Sequence, residues 1–195
     1  GVPFASHLSV HWDHSWVTGT PFDQVKHLVL LDFAIHWFDI VRCFMPKMEP
    51  TRVFATTARA PHQKIFPKML GQALIEWAEG QSSLVFDAMV PYGPLDQMYI
   101  AGTEGTISSQ GIDYQQQIMT LTTKDGTLHP RLTGKWFSDG FRGAMGELLL
   151  SIEQNRPCEL NARENLKSLA LCFAAVASAE TGRSFKPFEV RQLPD

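Results

Sequence analysis

An aspartate and a histidine four residues apart, Asp32 and His36, stand in an otherwise greasy run from Leu28 to Phe44. A carboxylate one helical turn from an imidazole can hold that ring in one tautomer and stabilise its protonated form. Such a pair works as an oriented general base, the group an alcohol needs to lose its hydroxyl proton. Asp39 and Cys43 continue the spacing, so 32, 36, 39 and 43 form one stripe of a helix. A helix apolar on most sides is buried on most sides, and a bare buried charge is costly. The stripe therefore either closes a structural network around a satisfied core histidine or faces a cleft.

Two aromatic clusters could wall such a cleft. In Trp12-Asp13-His14-Ser15-Trp16, Trp12 and Trp16 can stack on sugar rings while Asp13 or His14 bonds a hydroxyl. The plainer reading is a polar loop whose tryptophans pack on a sheet. In Trp136-Phe137-Ser138-Asp139-Gly140-Phe141-Arg142, Trp136 is either core or a pocket wall. Arg142 either bonds a substrate carboxylate or phosphate or stands in solvent. His7, His11 and Asp13 share a strand face, but His14 points away and no cysteine joins them. No metal site is expected from that set.

These residues need elements to hold them. Residues 4 to 16 alternate, with Leu8, Val10 and Trp12 on one face and His7, Ser9, His11 and Asp13 on the other, which predicts a strand. The core helix ends before Pro46. Short β-rich runs follow at 51–60, 72–78, 82–89, 97–101, 106–109, 117–123 and 127–132, separated by turns such as Lys124-Asp125-Gly126. Closely spaced hairpins predict an antiparallel sheet of about six strands. The last third reads as helices over 141–154 and 162–181, the second capped by Asn161 and stopped by Gly182. The order is α+β, with helices on one face and an open, apolar sheet face awaiting a partner.

The chain has 195 residues and a formal charge of −3, enough for a single domain, 1–195, with a sizeable core. Scattered Lys and Arg exclude a nucleic-acid partner. Cys43, Cys158 and Cys172 form no CxxC pair, and Cys43 and Cys172 are expected as buried free thiols, which suits the cytoplasm. No signal peptide or membrane span is expected. The abrupt start at Gly1-Val2-Pro3 suggests an excised or processed piece.

Four segments in order, Leu31 to Asp39, Ile100-Ala101-Gly102-Thr103-Glu104-Gly105-Thr106-Ile107, 141–154 ending in Asn155-Arg156-Pro157, and Leu169 to Arg183, resemble the C-terminal domain of the Gfo/Idh/MocA family of NAD(P)-dependent sugar and inositol dehydrogenases. The resemblance covers essentially the whole chain. It implies an open, mainly antiparallel sheet of the dihydrodipicolinate-reductase-like kind. It implies a homodimer or homotetramer formed through the open face. It also implies that His36 takes the substrate hydroxyl proton beside the nicotinamide while Asp32 binds a hydroxyl or supports His36. Trp12, Asp13, His14, Trp16, Trp136 and Arg142 are the expected substrate contacts.

One departure is large. The family's glycine-rich phosphate turn and Glu-Lys-Pro lysine belong to an N-terminal Rossmann domain, and neither is found here; Lys186-Pro187 lies after the last helix. The expectation is a substrate-binding domain whose NAD or NADP is held largely by another part of the enzyme. It should be inactive alone and bind no cofactor itself beyond a nicotinamide contact by His36. The alternatives are a non-catalytic scaffold of the same fold and a metal-dependent lyase or hydrolase using the histidines.

Overall fold

Alternation in the first strand fixes which face becomes core. In the computed structural model, which describes residues 1–193, β1 (Pro3–His11) turns Leu8 and Val10 inward, 2% and 6% exposed. After it come α1 (Ala34–Phe44), β2 (Pro50–Ala58), β3 (Leu70–Trp77), β4 (Gly80–Asp87), β5 (Leu95–Gly102), β6 (Gly105–Gly111), β7 (Gln117–Thr123) and β8 (Gly126–Leu128). Helices α2 (Phe141–Glu153) and α3 (Ala162–Thr181) close the chain. The strands form one open sheet in the order β2-β3-β4-β1-β5-β6-β7-β8. All neighbours are antiparallel except β1 and β4, which run parallel with Leu8 opposite Leu84. The parallel pair exists because β1 leaves the sheet into α1 before the β2-β3-β4 meander returns beside it.

Helices α1 and α3 cover one face. Phe38, Leu28, Leu171 and Ile75 are fully buried between them and the sheet, each contributing about 1.5–3 kcal/mol of hydrophobic burial. In α3, small residues at Ala170, Ala174, Ala175 and Ala177 allow a close approach. Its start is capped as expected, with Glu164 N–H donating to Asn161 Oδ1 at 3.0 Å, and Gly182 ends it at φ 71°. Ser178 Oγ accepts the Ala55 N–H at 2.8 Å, tying α3 to β2.

Three features differ from the sequence expectations. The sheet has eight strands rather than about six, because every β-rich run, the short β8 included, joins the one sheet. The open face is not apolar. Phe54, Leu74, Tyr99 and Ile118 are exposed, but neighbouring outward positions carry His7, Ser9, Ser83, Gln97, Ser108, Gln110 and Thr120. Cys43 is exposed and only Cys172 is buried. Asp32 and His36 are exposed, and their side of the helix opens onto a cleft, one of the two readings left open for the stripe. No helix among the described residues is long and apolar enough to cross a membrane.

Candidate active site

The segment that presents Asp32 is not regular α-helix. Val29–Phe33 forms a π turn, in which the Ala34 N–H bonds back to Val29 C=O. Such turns add one residue to a helical turn and recur at functional sites. The turn sits tightly on the sheet. A side chain at Gly71 would bring its Cβ within 2.8 Å of Val29 Cγ1, so bare backbone there is what lets the turn seat. His36 follows in the first turn of α1.

Asp32 and His36 both line a cleft of about 590 Å³ at the end of the sheet. No side-chain hydrogen bond joins the two among the described residues. The rest of the wall is aromatic. Trp12 stands at its centre, 5.8 Å from Trp37 and 5.4 Å from Tyr114 between ring centroids. Tyr114 in turn lies 5.1 Å from Trp136. Phe137 and Phe141, one turn apart and stacked at 6.2 Å, form the far wall.

Each wall is held by backbone. Trp12 and His14 continue the pairing of β1 with β4 past the strand ends, through Trp12 N–H to Asp87 C=O and His14 N–H to Ala88 C=O, both 3.0 Å. His14 packs against Phe33 at 4.3 Å. Burial pushes the His14 imidazole below its ordinary value of 6.5, with Asp13 opposing, so it is neutral near pH 7. Its Nδ1 and the Trp12 Nε1 are buried without a hydrogen-bond partner among the described residues. Tyr114 rides on a loop whose Asp113 Oδ1 accepts the N–H groups of Gln115 and Gln116 at 2.7 and 2.9 Å. A second π turn, Trp136–Gly140, is closed by Asp139 accepting the Lys135 N–H at 2.6 Å.

Beneath the Tyr114 loop lies Asp96, 3% exposed. Burial raises its carboxyl to about 6, Asp113 adds to the rise, and His11 opposes it. Gln117 Nε2 donates to Asp113 C=O at 2.6 Å and reaches Asp96 C=O at 3.5 Å.

Of the residues singled out from sequence, the structure brings Trp12, His14, Asp32, His36 and Trp136 together in the cleft wall. It leaves Asp13, Trp16 and Arg142 outside it. Asp13 accepts the Ser15 N–H and Oγ–H and shapes the turn after β1. Trp16 is 58% exposed and meets Phe22 edge-on. Arg142 is solvent-exposed and pairs with Asp139 at 2.8 Å. Phe137 and Phe141, from the 136–142 aromatic cluster, also line the cleft, as do Tyr114, Phe33 and Trp37, which no pattern singles out because lone aromatics in loops and apolar runs carry no periodic signal. No group of three or more His, Cys, Asp or Glu side chains is placed to hold a metal among the described residues.

The other half of the α1 stripe has a different role. Asp39 Oδ1 accepts from Ser168 Oγ at 2.6 Å and from Arg42 Nη1 at 3.4 Å. Arg42 also donates to Ser168 Oγ at 2.8 Å and Glu164 Oε2 at 3.1 Å. This network bolts α1 to α3.

The sequence matches the GFO/IDH/MocA C-terminal domain over residues 5–108, more than half of the chain. The chain belongs to the Gfo/Idh/MocA family. No curated protein matches it in a direct sequence comparison. Its fold recurs in solved oxidoreductases. An Agrobacterium radiobacter oxidoreductase, in complex with NAD+, L-tartaric acid and magnesium, is 22% identical with a TM-score of 0.81 over 95% of this chain and 57% of that one. A Sinorhizobium meliloti protein assigned as a myo-inositol dehydrogenase is 21% identical, TM-score 0.70, over 96% and 57% of the two chains. The aldose-aldose oxidoreductase of Caulobacter crescentus, complexed with glycerol, is 16% identical, TM-score 0.76, over 95% and 56%. At these identities the likeness is one of fold. The Gfo/Idh/MocA chain described here spans little more than half the length of each of these proteins.

NAD+ is bound in the Agrobacterium radiobacter complex. A flat ring suits the exposed aromatic wall beside His36. The phosphates have no cradle among the described residues, because the N-terminal turns leading into α1, α2 and α3 carry Asp32, Asp139 and Glu164. Negative charge there opposes an anion at the helix end.

Proposed function

We propose that this Gfo/Idh/MocA domain binds the substrate of an NAD(P)-dependent oxidoreductase that moves hydride between a nicotinamide and a polyol, inositol or sugar-like alcohol. The observation that carries the reading is the meeting of Asp32 and His36 in one aromatic cleft. A bound nicotinamide supplies the hydride acceptor. As the carbinol carbon gives up hydride, its O–H bond must lose a proton. His36 is exposed to the cleft and takes that proton on a ring nitrogen. Asp32, one turn earlier, accepts a hydrogen bond from a substrate hydroxyl or steadies the imidazolium. The apolar walls exclude water and strengthen both interactions. Single-domain organisation and self-association through the open sheet face, as a homodimer or homotetramer, belong to this reading.

The test is reduction of NAD+ or NADP+ by the protein carrying this domain together with a cofactor-binding half. Secondary alcohols of the polyol and sugar classes are the substrates, and reduced-nicotinamide absorbance is the readout. Turnover with one of them is expected. No reduction with any of them by folded protein points to a scaffold instead. The 195-residue chain alone is expected to bind NAD(H) more weakly than about 10 μM, roughly −7 kcal/mol. Calorimetry giving a tighter constant overturns that.

A further inference from the structure

The cleft that holds Asp32 and His36 is poor in hydrogen-bonding groups for a site meant to hold a bare polyol. Every hydroxyl of an inositol or open sugar must find a partner when it leaves water, or its desolvation goes uncompensated. Sites that hold such molecules need several amide, hydroxyl or guanidinium side chains. This cleft has no Arg, Lys, Asn, Gln, Ser or Thr in its lining. Its hydrogen-bonding side chains are Asp32, His36, His14, Asp87, the Tyr114 hydroxyl and the indole N–H groups of Trp12, Trp37 and Trp136; Asp87 is already engaged by His11 Nδ1 at 2.9 Å and the Trp12 N–H is buried. Burial keeps His14 neutral. Asp32, His36, His14 and the Tyr114 hydroxyl therefore remain as the main polar contacts, few for a molecule with a hydroxyl on most of its carbons.

The remainder of the wall is flat and apolar. Trp12, Tyr114 and Trp136 follow one another at centroid distances of 5.4 and 5.1 Å, tilted at 56° and 55°. Phe137 and Phe141 face the same space. Tilted rings at these separations offer both edges and faces to a guest ring. The wall continues from Asp32 and His36 to Phe141 and Ala144 of α2, with His14 stacked on Trp12 at 5.8 Å, and most of the cleft's side chains are apolar.

We propose that the substrate is an alcohol or vicinal diol carrying an aromatic or similarly flat apolar group. Its reacting hydroxyl lies at Asp32 and His36, and its flat group lies among Trp12, Tyr114, Trp136 and the two phenylalanines. This deepens the dehydrogenase reading and rests on its placement of the reacting hydroxyl. It narrows the sugar-like alcohols to those with an aryl or comparable substituent, such as an aryl-substituted diol or an aryl glycoside.

The experiment compares three probes on the 195-residue chain by tryptophan fluorescence and saturation-transfer NMR: 1-phenyl-1,2-ethanediol, 1,2-propanediol and myo-inositol. The phenyl diol is expected to bind at least tenfold tighter than either of the others. Tyr114→Ala and Trp136→Ala are expected to weaken the phenyl diol at least fivefold and to leave propanediol unchanged. Arg142→Ala, outside the lining, is expected to change neither. Equal binding of the three probes, tighter binding of myo-inositol, or no binding of the phenyl diol overturns the proposal. So does a phenyl diol whose NMR contacts survive both aromatic substitutions in folded protein. Turnover separates this from the parent reading. Selective binding of the phenyl diol without nicotinamide reduction by the complete enzyme removes the dehydrogenase and keeps the pocket. Reduction with myo-inositol alongside indifferent binding does the reverse.

Discussion

The two ends of α1 carry similar residues on one stripe and do opposite things. At the N-terminal end Asp32 and His36 face a cleft, exposed, with no hydrogen bond between them. At the other end Asp39 and Arg42 are locked to Ser168 and Glu164 of α3, and Ser168 is fully buried. The difference lies in what each end meets. The helix overhangs the end of the sheet on one side and packs on α3 on the other. Polar groups satisfied by the protein are structural, whereas those left facing an apolar cleft are available to a ligand.

Four substitutions can break or sharpen this contrast. In the complete enzyme, His36→Ala is expected to lower turnover by about 10²–10⁴, the range for losing a general base. Its Tm should change by only about a degree or two, since the exposed ring gives up an edge-on contact with Trp37 and no hydrogen bond seen among the described residues. Full activity in a folded His36→Ala protein would erase the distinction between the ends. Asp32→Asn is expected to cost less, on the order of tenfold in turnover, again at unchanged Tm. A fall of several degrees instead would assign the pair to the core.

At the anchored end the signs reverse. Ser168→Ala leaves Asp39 and Arg42 short of a buried partner and should cost about 1–3 kcal/mol, or roughly 2–12 °C in Tm for a chain of this size. Turnover per folded molecule should hold. A specific activity that collapses while Tm stays put would show that the anchor, too, serves the chemistry.

The smallest effect lies beneath the cleft wall. The Asp96 carboxyl is raised to about 6 from an ordinary 3.8, chiefly by burial. The folded chain therefore keeps a proton that the unfolded chain releases. Stability is unaffected below about pH 4, falls as pH rises from 4 to 6, and stays lowered above that. Asp96→Asn removes this dependence. The native chain is expected to lose about 1 kcal/mol relative to the variant across that window, allowing for solvent screening. Parallel melting curves for the two proteins from pH 4 to 8 would contradict it.

Much of this architecture could be read from the amino-acid order because it rests on local periodicity. The face assignment of β1, the bounds of α3 with Asn161 and Gly182, and the hairpins around Gly80 and Gly126 all follow from neighbours in sequence. The pairing of β1 with β4 did not, since residues 76 apart carry no mutual signal. Asp32 and His36 stood out because charge in an apolar run is unusual. Their exposure did not, because hydrophobicity alone cannot tell a buried helix from one beside an aromatic cleft. Helix α2 makes the same point. Its Phe141, Met145, Leu149 and Ile152 are apolar yet 55–69% exposed, and only Ser151 is buried. Tyr114 depends on a loop shaped by Asp113 and Gln117, partners no pattern announces.

The π turn at Val29–Phe33 acts as a phase shifter. Each residue of a regular helix advances by about 100° around its axis, so one extra residue offsets everything after it by that angle. The offset lets Val29 keep its seat over Gly71 while His36 swings toward the cleft. A helix of uniform pitch through the same stretch would satisfy one of these directions and miss the other. Deleting a single residue between 29 and 33 would therefore act as a rotation of the chemistry rather than as a local defect. Any redesign of this segment has to preserve its residue count before it preserves its residue identities.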